Sequence, residues 1–386
     1  MRRLFFLILF LYATSAFAHF SNMIVFGDSL SDGGNFPESS QVWWHPAAAK
    51  TLENTVPQLY VPFANPVNTD SKSTTWPILD NRYLAKQTNI ENNSAERKFH
   101  SISWPQFFLG SKIISPSHLL NSRTIPASFS FNYAWGYATS RKHCVNPRYQ
   151  SIACDAKSIY LARRNYEKNP SKENYLKLEI PGLFQQVQLF FQDYHAHKVS
   201  VDNNTVYVFW IGGNDLIIAS NALRKHGNPF PAFGFILGNT AKHVIQNVSQ
   251  LIQGLPKNQR PQKIYIFDLF NPGLTPGYYH TPLASIADFF VQCSNFWLTW
   301  DARLFNLFSD TKMVIVPTYQ WYQASSQSAE FKSTLGKTCQ LNSGNYENPV
   351  SISKTNCNGF MFWNAVHPST MMNAVIAKKF LKMLSV

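Results

Sequence analysis

The stretch Met23-Ile24-Val25-Phe26-Gly27-Asp28-Ser29-Leu30-Ser31-Asp32-Gly33-Gly34-Asn35 decides how the chain is read. Its first four residues are an apolar run of the kind that forms a buried strand, and a glycine-rich turn follows. A serine at the C-terminal end of such a strand presents its hydroxyl at the open edge of a sheet, where ligands of open α/β sheets bind. Working outward, further apolar runs at 206–211, 263–267 and 313–316 predict strands. Amphipathic stretches at 174–198 (interrupted by Pro181-Gly182), 236–255, 285–308 and 370–384 predict helices. Strands alternating with helices imply a mostly parallel, doubly wound sheet in a flavodoxin-like three-layer α/β sandwich. The 386 residues could fill two domains. Functional candidates at both chain ends argue instead for a single domain over 19–386.

The Gly-x-Ser-x-Gly elbow of ordinary α/β-hydrolases needs a glycine two residues after the serine. That position is Ser31 here, which excludes the elbow. The block Gly27-Asp28-Ser29-Leu30 instead resembles the first block of the GDSL (SGNH) hydrolases. Three more blocks follow in that family's order. Asn132-Tyr133-Ala134-Trp135-Gly136-Tyr137-Ala138 is similar to its Asn-x-Ala-x-Gly-Gly-Ala, and Gly212-Gly213-Asn214-Asp215 to its Gly-x-Asn-Asp. Asn364-Ala365-Val366-His367-Pro368 stands in the place of its Asp-x-x-His-Pro. The resemblance implies an SGNH hydrolase fold with Ser29 as nucleophile and His367 as general base and then general acid. It assigns the oxyanion hole to the Ser29 N–H, the N–H of Gly136 or Tyr137, and the Asn214 side chain.

Two positions depart from the family pattern. The acid's place is taken by Asn364, whose amide can orient an imidazole but brings no negative charge to stabilise the imidazolium. In a serine protease the Asp-to-Asn change costs about four orders of magnitude in kcat. The chain is therefore a slow Ser-His enzyme, borrows a carboxylate from elsewhere, or has lost activity. The family's second tandem glycine is Tyr137, where the backbone N–H survives but the side chain narrows the space around it.

The N-terminus predicts export. Arg2-Arg3 precede an apolar run over 4–12 and an Ala16-Phe17-Ala18 cleavage box, the pattern of a signal peptide over 1–18. A membrane span needs about 20 apolar residues, and polarity returns too soon for one. A secreted or periplasmic protein beginning at His19 is expected. The formal charge is +13, and losing Arg2 and Arg3 lowers it by two to +11. Scattered Lys and Arg, with no zinc-finger spacing and no arginine-rich tract, argue against nucleic acid. A basic exported esterase would be drawn to anionic phospholipid, giving transient membrane-surface association. Five cysteines in an exported chain suggest two bridges and one thiol, with local pairing Cys144–Cys154 and Cys339–Cys357 the simplest connectivity. Cys293 falls in the helical apolar pattern Ile286, Phe289, Phe290, Cys293, Phe296, Trp297 and reads as a buried core thiol. His195 and His197 alone do not make a zinc site, so neither metal nor cofactor is expected.

Residues 36–103 form a long polar insertion with aromatics at Trp43, Trp44, Tyr60, Phe63, Trp76 and Tyr83. A stretch this long is either a lid or substrate wall, or a surface excursion packed on itself. The expected activity is hydrolysis of lipid acyl esters, as a phospholipase A, lysophospholipase or related acyltransferase. The enzymatic alternative is a carbohydrate or short-chain acyl esterase. The non-enzymatic alternative is a lipid- or glycan-binding protein that kept the fold after losing its acid.

Overall fold

The structure is a computed structural model. It describes residues 20–31, 104–105, 119–121, 130–134, 138–141, 143–145, 160–161, 164–165, 168–169, 179–197, 199–338, 359–362 and 365–385. The segment 1–18, which reads as a signal peptide, and the 36–103 insertion lie outside these residues. So do Gly136, Tyr137, Asn364, Cys154, Cys339, Cys357 and the side chain of Cys144.

Six strands make one parallel sheet: β1 (Met23–Gly27), β2 (Leu119–Asn121), β3 (Ser130–Asn132), β6 (Val206–Trp210), β7 (Lys263–Phe267) and β8 (Lys312–Val316), in the order β2-β3-β1-β6-β7-β8. A separate antiparallel pair joins β4 (His143–Val145) to β5 (Glu179–Pro181). All five residues of β1 and all five of β6 are buried. Strands covered on both faces carry continuous apolar runs rather than alternation, which is why these segments were legible in the sequence.

Successive side chains still part to opposite faces. Ile24, Phe26, Tyr207 and Phe209 meet one helical layer: α1 (Leu183–His195), α4 (Asn239–Gly254) and α5 (Leu283–Phe308). Met23, Val25, Val206, Val208 and Trp210 meet the other: α6 (Thr318–Ser326) and α7 (Thr370–Leu384). Leu183, Val187 and Phe190 close the first core, and Met372, Ile376 and Phe380 the second. The result is the three-layer sandwich the sequence predicts. Two further helices, α2 (Gly213–His226) and α3 (Phe230–Ile236), lie between β6 and α4.

Some boundaries differ from the expectation. The stretch ahead of Pro181 contributes β5, and the helix begins only at Leu183. The helix expected from 236 is divided at Gly238, whose φ of 85° is left-handed, so α4 starts at Asn239. The α5 stripe is not uniformly buried either. Ile286, Phe289 and Phe296 are 48%, 56% and 60% exposed, while Phe290 and Val291 point inward. Cys293 is a free thiol only partly buried, not a core thiol. The sequence pattern mixed two adjacent stripes of a long helix, and only one of them meets the sheet. No helix among the described residues is long and apolar enough to cross a membrane.

Candidate active site

Leaving out β2, the strand order β3-β1-β6-β7-β8 is the flavodoxin-like 2-1-3-4-5, whose direction reverses beside β1. The C-terminal ends of β1 and β6 therefore border the crevice where such folds bind ligands. Ser29 follows β1, and Asn214 lies in the first turn of α2 immediately after β6.

The turn carrying Ser29 is shaped by its neighbours. Gly27 is paired with Trp210, and a Cβ at Gly27 would lie 2.5 Å from the Trp210 carbonyl oxygen, so only glycine lets the strand ends stay this close. Beyond Gly27 the Asp28 N–H donates to the Trp210 carbonyl at 3.2 Å, and the Ser31 N–H to the Asp28 carbonyl at 3.0 Å. On the other edge of β1 the side chain of Gln186 in α1 takes the place of a neighbouring strand. Its Oε1 accepts from the Gly27 N–H at 2.9 Å, and its Nε2 donates to the Gly27 carbonyl at 2.8 Å. Ser31, the residue that excludes the ordinary elbow, is fully buried, and its hydroxyl accepts from Trp104 Nε1 at 3.0 Å.

His367 comes from the far end of the chain, two residues before the Ser369 N-cap of α7. Its loop is tied by the Gly277 N–H donating to the Ala365 carbonyl at 2.9 Å and by the Ser369 N–H donating to the Met361 carbonyl at 3.0 Å. Ser29 Oγ and His367 Nε2 are 2.9 Å apart. With Nε2 unprotonated, the Ser29 hydroxyl donates to it, the arrangement a general base requires.

Asn214 is buried, and its Nδ2 donates to the Ala138 carbonyl at 2.8 Å. It lines a pocket with Ser29 and His367, leaving its second amide proton for a pocket occupant. The helix bearing it starts where it does because Gly212 has φ of 128°, a conformation side chains disfavour, and a Cβ there would press on Thr240. The pocket encloses about 830 Å³ of empty space, mouth included, and its walls include Leu30, Leu216, Ile217, Leu269, Phe270 and Val291. That apolar lining suits an organic ligand.

Three buried carboxyls surround the site. Asp28 accepts from the Leu30 N–H at 3.0 Å, and the backbone N–H groups of Gly212 and Gly213 also face its carboxyl. Burial pushes its pKa up to about 7, against the pull of backbone N–H groups, and the neighbouring Asp215 adds to the rise. Asp215 is also raised by burial, against hydrogen bonds from Ser140 and the charge of Arg141. Asp268, at the end of β7, is raised by burial to about 6 although it caps α6 through the Tyr319 N–H at 2.7 Å.

The family blocks thus interlock. Asn132 Nδ2 donates to the Ser31 carbonyl at 2.6 Å, joining the second block to the first. Asn214 and Asp215 both reach residues 138–140, joining the third to the second. The structure brings together Ser29, His367 and Asn214 around one pocket. Gly136, Tyr137 and Asn364 fall outside the described residues. Sequence reasoning missed Gln186, since a glutamine on an amphipathic helix carries no signal of its own. It also missed the Ser140–Asp215 contact, although Asp215 stands inside a motif.

A doubly wound sheet with a serine–histidine pair at its switch point is the architecture of a serine ester hydrolase. The chain belongs to the GDSL-like lipase/acylhydrolase family, whose profile matches residues 23–380. Among curated proteins none matches the sequence. Among solved structures, the lipase Lip_vut3 from a goat rumen metagenome aligns over 94% of this chain and 96% of its own. Its identity is 13% and its TM-score 0.35, a superposition too loose to say anything of substrate.

Proposed function

We propose that this ester hydrolase is a secreted enzyme acting on lipid acyl esters, as a phospholipase A or lysophospholipase. The observation that carries the reading is the 2.9 Å Ser29 Oγ–His367 Nε2 contact opening onto an apolar pocket of acyl-chain character. Ser29 Oγ attacks the acyl carbonyl carbon as its proton passes to His367 Nε2. The carbonyl oxygen becomes an oxyanion, held by the Asn214 amide and backbone N–H groups of the first and second blocks. As the intermediate collapses, the imidazolium gives its proton to the leaving alcohol. Water then resolves the acyl-enzyme by the same route, or a second alcohol does so as acyl acceptor.

The apolar walls favour a lipid acyl chain over a sugar, whose hydroxyls need polar partners. The basic charge, +13 in full and +11 without Arg2 and Arg3, favours anionic lipid surfaces. Asn364 favours a second reading, a lipid-binding protein with a degenerate triad.

The test uses mature protein with lysophospholipids, diacylphospholipids, p-nitrophenyl esters and acetylated sugars. Turnover of the lipid substrates should be lost in Ser29→Ala and His367→Ala, with thermal unfolding within a few degrees of wild type. Preference for acetylated sugars would remove the lipid assignment. Equal turnover in wild type and Ser29→Ala would remove the mechanism, and lipid binding without turnover would select the second reading.

A further inference from the structure

Residues 138–140 lie directly after the Gly136-Tyr137 pair, and hydrogen bonds to two helices fix them. The Ala138 carbonyl accepts from Asn214 Nδ2 at 2.8 Å, and the Thr139 carbonyl from the Leu183 N–H at 3.0 Å. The Ser140 N–H donates to Asp215 Oδ2 at 2.9 Å, and the Ser140 hydroxyl to Asp215 Oδ1 at 2.7 Å. Ser140 has one hydroxyl proton and gives it to Asp215. Its 3.2 Å contact with His243 Nδ1 therefore has the imidazole as donor. Asp215 is only 7% exposed. Burying a carboxylate is expensive, and well-packed apolar replacements of buried charges are often neutral or stabilising. Stability alone gives a weak account of this residue, whereas geometry gives a direct one. Asn214 and Asp215 are consecutive residues in the first turn of α2, so the side-chain oxyanion donor and the anchor of the segment after the backbone donor share one rigid base.

We propose that Asp215 is a positioning residue for the oxyanion hole, acting through Ser140 to hold the second-block segment in register with Asn214. This rests on the hydrolase reading above but not on the choice of lipid as substrate. A positioning role appears in the transition state rather than in ground-state binding, so it lowers kcat and leaves KM nearly unchanged. Because both residues serve one oxyanion hole, their effects do not multiply.

The experiment measures kcat and KM on a soluble p-nitrophenyl ester, and the rate of Ser29 labelling by phenylmethanesulfonyl fluoride. It covers wild type, Asp215→Ala, Asp215→Asn, Ser140→Ala, Asn214→Ala and the Asp215→Ala/Asn214→Ala pair. Asp215→Ala should lower kcat by about 10- to 100-fold, below the 10²–10³ of losing a donor outright, with KM within about twofold. Asp215→Asn and Ser140→Ala, each keeping one of the two bonds, should fall between it and wild type. The double variant should be little worse than Asn214→Ala alone. An unchanged kcat, a loss confined to KM, or multiplicative losses in the double variant would overturn the proposal. Should Asp215→Ala fail to fold, wild-type kcat in both Asp215→Asn and Ser140→Ala would overturn it equally, and intermediate kcat in both would support it. A wild type that neither turns over esters nor labels at Ser29 would instead refute the hydrolase mechanism itself.

Discussion

Ser29 and His367 are separated by 338 positions in the chain and by 2.9 Å in space, and the third member of the set is where this protein departs from its family. The buried carboxylates already have other work. Asp28 accepts from Leu30, Asp215 from Ser140, and Asp268 from Thr318 and Tyr319. The family pattern puts Asn364, three residues before His367, in the acid's place, and it is the group we propose orients the imidazole. An amide there leaves the imidazolium of the transition state without a counter-charge. Asn364→Asp should therefore raise kcat by at least about tenfold, one pKa unit being a modest contribution from a paired carboxylate. Steady-state kinetics on the same ester decides this. A kcat at or below wild type would mean that a different carboxylate already faces His367, and that a second negative charge repels it.

At the scale of elements, the turn carrying the nucleophile is held by a helix as much as by its own strand. Strand β3 is paired with β1 only at Ile24 and Val25, so the outer edge of Gly27 would be left without a partner. Gln186 of α1 supplies both a donor and an acceptor there while itself fully buried. Removing that amide leaves two backbone groups buried and unpaired, at about 1–3 kcal/mol each. Gln186→Leu, close in volume, is expected to lower stability to chemical denaturant by about 2–6 kcal/mol and to lower kcat as Ser29 loses its fixed turn. A variant as stable as wild type in urea titration would show that water or a shifted strand replaces the amide at no cost. Helix α5 makes the converse point. Its apolar residues outnumber those the sheet can cover, and Phe289, Phe296 and Trp300 remain more than half exposed.

For the whole molecule, the buried carboxyls set an unusual dependence of stability on pH. Asp28 has a folded-state pKa of about 7 against an ordinary 3.8. Between those values the folded protein holds a proton that the unfolded chain has released, so stability falls as pH rises through that window. The loss amounts to about 4 kcal/mol, complete above pH of about 7 and absent below about 4. Asp268, raised to about 6, acts in the same direction over a narrower window. Asp28→Asn removes one titration and leaves those of Asp215 and Asp268. The stability of this variant relative to wild type should rise steadily from pH of about 4 to about 7 and then level off, as read by urea unfolding at several pH values. A difference independent of pH would show that Asp28 is ionised throughout.

The sequence by itself determined the layers and their order. Residues 23–27, 206–210 and 264–267 are apolar enough to be buried on both faces, and such runs alternating with amphipathic helices leave few architectures open. It also marked Ser29, Asn214 and His367, because each stands in a short block whose residues are neighbours in the chain. The tertiary structure decided what depends on distant partners. No local pattern says that Gln186 completes the edge of β1, that Asp215 anchors Ser140, or which of two stripes on α5 meets the sheet. Each of these is a hydrogen bond or a burial between elements far apart in sequence. A side chain's local pattern records which face of its own element it occupies, and only the packed fold decides what lies across from it.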